Sequence, residues 1–309
     1  MLILTDSSDL PKNNKPVVLA MGCFDGVHLG HQKVISIAVE QAAELNGEAW
    51  VYTFNPHPAK VLVPDKAPPL ISADPCRLRK IEELGVAGVI ETPFTREFAA
   101  LSPETFLNDL IAKVPVLAGV VCGQDWSFGH RASGNFQTLE IFGKTHGFTA
   151  TAVAPLMDGD RKISSSTIRK YLLEGNIQDA AHLLGRPFTL FGKVIEGKKI
   201  GRELGFPTAN IDPLNELLPG NGVYAARTLT DGKWYESAVF MGNRETFGCH
   251  QHVIESYLIE FAGDLYGKDL EVVLIQKLRE VEPFPSREAL IEQIQKDVTE
   301  IRRMLAEAS

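Results

Sequence analysis

Apolar residues in the first half of the chain follow two alternating spacings. Short unbroken runs at 16–20, 49–53, 87–90, 118–122 and 149–154 read as buried strands. Between them, apolar residues recur at helical spacing over 31–45, 75–84, 103–112 and 136–147. In the first of these, Val34, Ile35, Ile37, Ala38, Ala42 and Leu45 mark one face. Asp74 and Ser102 each precede a proline, the cap-then-proline pattern of a helix start. Two short helices follow at 165–174 and 177–184. Strand–helix alternation of this kind predicts a parallel sheet covered on both faces, in an α/β domain over residues 1–184.

Near Gly185-Arg-Pro-Phe188 the pattern changes. Segments at 189–195, 223–228, 236–241, 253–261 and 270–278 are β-rich and separated by glycines. They predict an antiparallel barrel or sandwich over residues 185–309. A long helix begins at Ser286, with Leu290, Ile294, Val298, Ile301 and Leu305 in a stripe that reads as a face packed on that β domain. At 309 residues, two domains fit better than one core.

The run Met21-Gly-Cys-Phe-Asp-Gly-Val-His-Leu-Gly-His31 joins the first strand to the first helix. A helix start offers unpaired N–H groups and a partial positive charge, which suits a phosphate. His28 and His31, three apart, share a face there and add donors. Gly26 and Gly30 permit a close backbone approach. In a parallel sheet this turn lies at the carboxyl end of a strand, where ligands bind. The run points to an enzyme that handles a nucleoside triphosphate. Taken alone, His-x-Gly-His also fits two histidines that merely cap or pack. The run carries no Gly-Lys-Ser/Thr of a Walker loop, and the chain has no His-Glu-x-x-His of a zinc hydrolase.

Composition narrows the classes. A net charge of -8 argues against a general nucleic-acid binder, but a few local cations and Mg²⁺ suffice for ATP. Cys23, Cys76, Cys122 and Cys249 are scattered without Cys-x-x-Cys, as expected of reduced thiols. Nothing beside Cys23 marks it as a nucleophile. No signal-like segment or membrane-length apolar run occurs, so a cytoplasmic setting is expected.

Three further segments follow predicted strands or open a helix. Tyr52-Thr-Phe-Asn-Pro-His57-Pro brings Asn55 and His57 to the sheet edge, although its prolines equally just end a strand. In Gly123-Gln-Asp-Trp-Ser-Phe-Gly-His130, Asp125, Trp126 and Phe128 suit either a pocket for an aromatic ring or a core beside a glycine turn. In Ile163-Ser-Ser-Ser-Thr-Ile-Arg169, the hydroxyls of Ser164 and Ser165 either cap the helix or bind phosphate, with Arg169 as the cation.

Taken in order, these segments resemble the prokaryotic bifunctional FAD synthetases, in which a riboflavin kinase is fused to an FMN adenylyltransferase. The likeness runs from about Pro16 to the last helix. The pattern Gly-x-Phe-Asp-Gly-x-His-x-Gly-His is met at Gly22, Phe24, Asp25, Gly26, His28, Gly30 and His31. The resemblance implies a Rossmann-like nucleotidylyltransferase domain. ATP would lie on Gly22, Phe24, Asp25, Gly26, Gly30, Ser164 and Ser165, with His28, His31 and Arg169 as catalytic residues. Flavin would lie on Asn55, His57, Asp125, Trp126 and Phe128.

In the second domain, Gly201-Arg-Glu-Leu-Gly-Phe-Pro-Thr-Ala-Asn210 resembles the signature loop of riboflavin kinase. Thr208 and Asn210 offer uncharged oxygens to a hard cation that already carries phosphates. A turn fixed by Pro207 and capped by Asn210 reads equally well. The resemblance implies a small antiparallel β-barrel with a C-terminal helix, ATP on Gly201 and Gly205, and Mg²⁺ with ATP on Thr208 and Asn210. It also implies a flavin contact at Tyr224 and a catalytic carboxylate at Glu255. Riboflavin, FMN and ATP are then the small-molecule partners, flavins being substrate and product. Neither nucleic acid nor membrane is expected as a partner, and a monomer or weak homo-oligomer is expected. Three positions depart from the family: Glu196 for a histidine, Phe240 for an asparagine and Glu245 for a proline. Trp126 replaces a common phenylalanine. An adenylyltransferase for nicotinate mononucleotide or phosphopantetheine would lack the second domain. A non-enzymatic flavin carrier would need none of the paired histidines, Arg169 or Glu255.

Overall fold

The computed structural model describes residues 1–197, 200–246 and 249–308, with the backbone alone for 200, 243–246 and 249–252. Six strands form the first sheet: β1 (Leu2–Leu4), β2 (Val17–Met21), β3 (Glu48–Asn55), β4 (Gly88–Pro93), β5 (Leu117–Gly123) and β6 (Thr149–Val153). All pair in parallel, in the order β1-β4-β3-β2-β5-β6. Their crossovers carry α1 (Leu29–Glu44), α2 (Pro58–Leu62), α3 (Asp74–Glu83), α4 (Arg96–Ala99), α5 (Pro103–Lys113) and α6 (Phe136–His146). Every residue of β2 is buried, as a strand covered on both faces requires. Val18 and Ala20 face one layer with Val34 and Ile35 of α1. Leu19 and Met21 face the other, with Phe106 and Leu110 of α5. The expected helix start at Ser102 holds, its Oγ accepting the Thr105 N–H at 3.1 Å ahead of Pro103, whereas α3 includes Asp74 as its first residue.

From β2 the chain builds β3 and β4 on one side, then crosses back to place β5 on the other. The carboxyl end of β2 is thus a topological switch point, where such sheets bind ligands. A small hairpin follows β6, made of β7 (Met157–Asp158) and β8 (Arg161–Lys162).

Two compact units divide between Ile163 and Ser164, with Leu70–Asp74 belonging to the second. The helices α7 (Ser165–Leu173) and α8 (Ile177–Leu184) therefore group with the β-rich part, although the sequence pattern counts them with the α/β domain. That part is a closed antiparallel barrel, not a sandwich. Its strands are β9 (Phe188–Ile195), β10 (Ala209–Pro213), β11 (Gly222–Thr230), β12 (Lys233–Thr246), β13 (Cys249–Leu258) and β14 (Asp269–Arg279), ordered β10-β13-β12-β11-β14-β9. Pairing of β9 with β10 closes the ring. The short α9 (Ile200–Glu203) lies between those two in sequence. The last helix, α10 (Arg287–Glu307), starts where Ser286 Oγ accepts the Ala289 N–H at 3.2 Å. Ile301 and Leu305 bury against Val223 and Ala225 of β11. No helix among the described residues is long and apolar enough to cross a membrane.

Candidate functional site

The turn after β2 is built from backbone that most residues avoid. Phe24, Gly26 and Val27 all take left-handed conformations, with φ of 49°, 78° and 41°. The chain reverses within one short 3₁₀ turn and enters α1 at His28. There Nδ1 of His28 accepts the His31 N–H at 3.3 Å and caps the helix. Because Nδ1 accepts, the proton of the neutral ring sits on Nε2. A Cβ on Gly30 would come within 3.2 Å of the His28 ring, so the glycine makes room for that imidazole. The two imidazoles stack at 3.6 Å between centroids, and Phe24 meets His31 edge-on at 5.4 Å. Burial, then the neighbouring His28, hold His31 well below its ordinary value of 6.5. His31 is therefore neutral at pH 7, and its buried Nδ1 has no hydrogen-bond partner among the described residues. An orphaned polar atom at a helix start is what an incoming phosphate satisfies.

Cys23 borders this turn. Burial first, and then the Asp25 carboxylate, push its thiol up to about 11, so it is no nucleophile at neutral pH. It opens instead onto a cleft of about 750 Å³ along the carboxyl edge of the sheet. Aromatic rings dominate its wall. Trp126 stacks on Phe128 at 4.6 Å, and Phe54, Phe98 and Phe106 continue the series at 5.6–5.8 Å between neighbours. Such a surface fits a large flat ring. Asp125 also lines the cleft and is ion-paired to Lys162 of β8. Asn55 and His57 do not line it. Asn55 is exposed, and His57 caps α2 by accepting the Ala59 N–H at 3.2 Å. Phe98 and Phe106 carry no motif, and Phe54 lies in the Tyr52–Pro58 segment without being marked there as a ligand contact. They lie on three different elements, and only the fold gathers them.

Ser164 caps α7, accepting the Thr167 N–H at 3.2 Å. Ser165 and Arg169 lie in the first turns of that helix.

In the barrel, pairing of β10 with β13 sets Asn210 opposite Glu255. Thr208, just before β10, donates to Glu255 Oε2 at 3.4 Å. Thr208 and Glu255 both line an apolar cavity of about 280 Å³, together with Phe240 and the α10 residues Leu290, Ile294 and Val298. The apolar stripe of α10 thus divides: its far end packs on the barrel, and its near end walls a cavity. Thr208 also lines a second cavity of about 230 Å³, whose rim includes Arg202, Asp264 and Tyr266. Gly201 sits where a Cβ would strike Phe206 O at 2.4 Å and press on Thr208 Oγ1 at 3.1 Å. Gly205, in the left-handed region at φ +88°, turns the loop back. Asn210 does not line the apolar cavity; its amide lies over Gly197, where a Cβ would come within 2.1 Å.

Tyr224 lies on β11. The resemblance makes it a flavin contact, but the ring is fully buried in the barrel and its hydroxyl donates to Gly220 O. Burial also raises its pKa, the ordinary consequence for an enclosed phenol. Of the three departures, Phe240 is in the cavity wall and Glu196 is exposed. The side chain of Glu245 lies outside the described residues.

Residues 10–167 match the family model described as FAD synthetase, and residues 184–305 the one described as riboflavin kinase. A bifunctional riboflavin kinase/FMN adenylyltransferase of Escherichia coli (strain K12) is 36% identical over 281 residues, covering 91% of this chain and 90% of that protein. One of Bacillus subtilis (strain 168) is 38% identical over 293 residues, covering 93% and 92%. A crystal structure described as a macrolide-efflux protein from Streptococcus pneumoniae has a TM-score of 0.87 at 28% identity, covering 97% of this chain and 98% of that one.

Proposed function

This chain belongs to the family of bifunctional riboflavin kinase/FMN adenylyltransferases, and from that premise we propose which of its residues carry each step. The chain is an enzyme of flavin biosynthesis. It phosphorylates riboflavin to FMN with ATP, then adenylylates FMN to FAD and releases pyrophosphate.

In the kinase step the flavin ring occupies the apolar cavity under α10, and ATP approaches through the polar one bearing Arg202 and Asp264. The riboflavin 5′-hydroxyl attacks the γ-phosphate, and Glu255 accepts or orients its proton. Among the described residues, no group of three or more His, Cys, Asp or Glu could hold a metal alone. Thr208, Asn210 and Glu255 suit instead a Mg²⁺ that arrives already bound to ATP phosphates. Bound there, Mg²⁺ would neutralise phosphate charge. Thr208 holds the Glu255 carboxylate in place, and Gly201 keeps the loop close enough for phosphates to reach it.

In the adenylyl step a phosphate oxygen of FMN attacks the α-phosphate of ATP. The isoalloxazine stacks along Trp126 and Phe128, with Asp125 beside it. His28 donates from Nε2 and the neutral His31 adds a second hydrogen bond. Gly22, Phe24, Asp25, Gly26 and Gly30 shape the turn, and Ser164, Ser165 and Arg169 at the start of α7 are assigned as ATP contacts. Catalysis is positioning and electrostatics, with no protein nucleophile. Acting on small molecules, the chain is assigned to the cytoplasm as a monomer or weak homo-oligomer.

The observation that carries this reading is Thr208, hydrogen-bonded to Glu255 and lining both barrel cavities. The test is incubation with riboflavin, ATP and Mg²⁺, with flavins separated over time. FMN followed by FAD is expected. Unchanged riboflavin alongside conversion of added FMN would remove the kinase and implicate Phe240 and Glu245. No reaction of either flavin would remove both activities.

A further inference from the structure

The charged pair Arg279 and Asp297 stands in the mostly apolar wall of the kinase cavity, which also carries the Glu255 and Glu282 carboxylates. Asp297 of α10 is buried, 5% exposed. Arg279, at the end of β14, donates from Nε to both of its oxygens at 3.0 and 3.1 Å and from Nη2 to Oδ2 at 2.8 Å. Gln293 Nε2 adds a bond to Oδ1 at 2.8 Å. Arg279 Nη1 donates to Glu280 O at 3.0 Å and lies 3.5 Å from Glu282. A guanidinium has five N–H donors. This geometry leaves one Nη2 hydrogen without an acceptor among the described residues.

Holding the helix does not explain the pair. A buried ion pair about breaks even against apolar residues of the same size. Leu290, Ile294 and Val298 would dock onto an apolar partner without it. In a mostly apolar pocket, a fixed polar group sets ligand orientation. Arg279 is the one cationic residue among the described residues that line this cavity. It lies on β14, and β11 and β12 separate that strand from Glu255 on β13. Glu255 marks where the ribityl hydroxyl must arrive, so Arg279 meets another part of the substrate. An isoalloxazine has one apolar end and one pyrimidine end with two carbonyl oxygens.

We propose that Arg279, clamped by Asp297, donates its remaining Nη2 hydrogen to a pyrimidine carbonyl of riboflavin and fixes which end of the ring enters the cavity. Asp297 and Gln293 are positioning residues for that guanidinium. This inference rests on the kinase reading of the cavity.

The test uses the full chain, the KM and kcat for riboflavin phosphorylation, and the carbonyl stretch of bound, isotope-labelled riboflavin. Arg279→Met should raise the KM about 10- to 100-fold, the usual loss of one hydrogen bond to a charged group, with kcat changed far less. Arg279→Met alone strands Asp297, so Arg279→Met/Asp297→Leu is the decisive variant. It should recover thermal stability, keep the raised KM, and show carbonyl bands shifted back toward free riboflavin. Wild-type KM and unshifted bands in the double variant would overturn the proposal and leave the pair as a helix clamp. Val298→Trp, which fills the cavity, separates the underlying reading. If it leaves the riboflavin KM unchanged, the flavin does not bind there and both statements fall. If it abolishes phosphorylation while the Arg279 variants match wild type, only the Arg279 assignment falls.

Discussion

The α/β unit and the barrel bind the same two kinds of ligand, a flavin and ATP, yet their polar machinery differs. In the α/β unit we assign it to one turn of chain, where His28 and His31 cap and crowd a helix start. In the barrel we assign it to separate segments, where Thr208, just before β10, meets Glu255 of β13. The difference follows the nucleophile. The phosphate of FMN is already an anion and needs only alignment and charge stabilisation. The hydroxyl of riboflavin carries a proton that has to leave, the role we assign to the Glu255 carboxylate. Each unit is equipped for the one difficulty its reaction presents.

The strongest way to break this comparison is Glu255→Gln. Phosphorylation of riboflavin should fall about 10²- to 10⁴-fold, the range for losing a general base, while adenylylation of added FMN persists. Equal loss of both activities would show that Glu255 serves something common to the two units. The reciprocal variant is His31→Ala. Adenylylation should fall about 10²- to 10³-fold, as removal of one preorganised donor does, with riboflavin kinase activity nearly untouched. Abolition of the kinase as well would refute the division into two independent sites.

The same contrast governs what the sequence discloses. The His28–His31 turn is contiguous, and its strand-turn-helix context is visible in hydrophobic spacing. Helix starts at Ser102 and Ser286 are equally local and fall where their caps predict. Sites assembled across elements leave no spacing to read. Phe54, Phe98 and Phe106 come from β3, α4 and α5, and Arg279 and Asp297 are 18 residues apart on a strand and a helix. The strand β1, three residues on the sheet edge with Leu2 and Ile3 half exposed, is too short and too open for a period. The strand β10, which closes the barrel, hides in the Thr208–Asn210 segment because that stretch reads first as a loop. Tyr224 shows the other limit: a family position does not say how a side chain is buried, and this ring is fully enclosed on β11.

A smaller effect sharpens the comparison on the flavin side. Trp126 is part-exposed, stacks on Phe128 at 4.6 Å and lines the α/β cleft. Trp126→Ala should raise the KM for FMN in adenylylation about 10-fold, near the upper worth of an aromatic stacking pair. The KM for riboflavin in the kinase step should not move. A parallel rise in both would mean that riboflavin reaches the kinase only through this cleft.

The smallest effect is a slope of stability with pH that His31 supplies. In the unfolded chain a histidine titrates near 6.5. In the folded unit burial and His28 hold His31 well below 6.5. Between those two values the unfolded state binds a proton that the native state refuses, so stability rises with pH there. Its contribution is complete above pH 6.5 and is lost as pH falls toward the folded value, by up to about 1.4 kcal/mol per pH unit. Urea unfolding of wild type and His31→Phe from about pH 7.5 down to about pH 5 isolates this share, since other titrating groups are common to both. Below about pH 6.5 the wild type should lose stability faster than the variant. A constant difference across the range would mean that His31 protonates equally in both states. His31 would then titrate near its ordinary value in the folded unit too, and a share of the imidazoles facing the phosphate would carry charge near neutral pH.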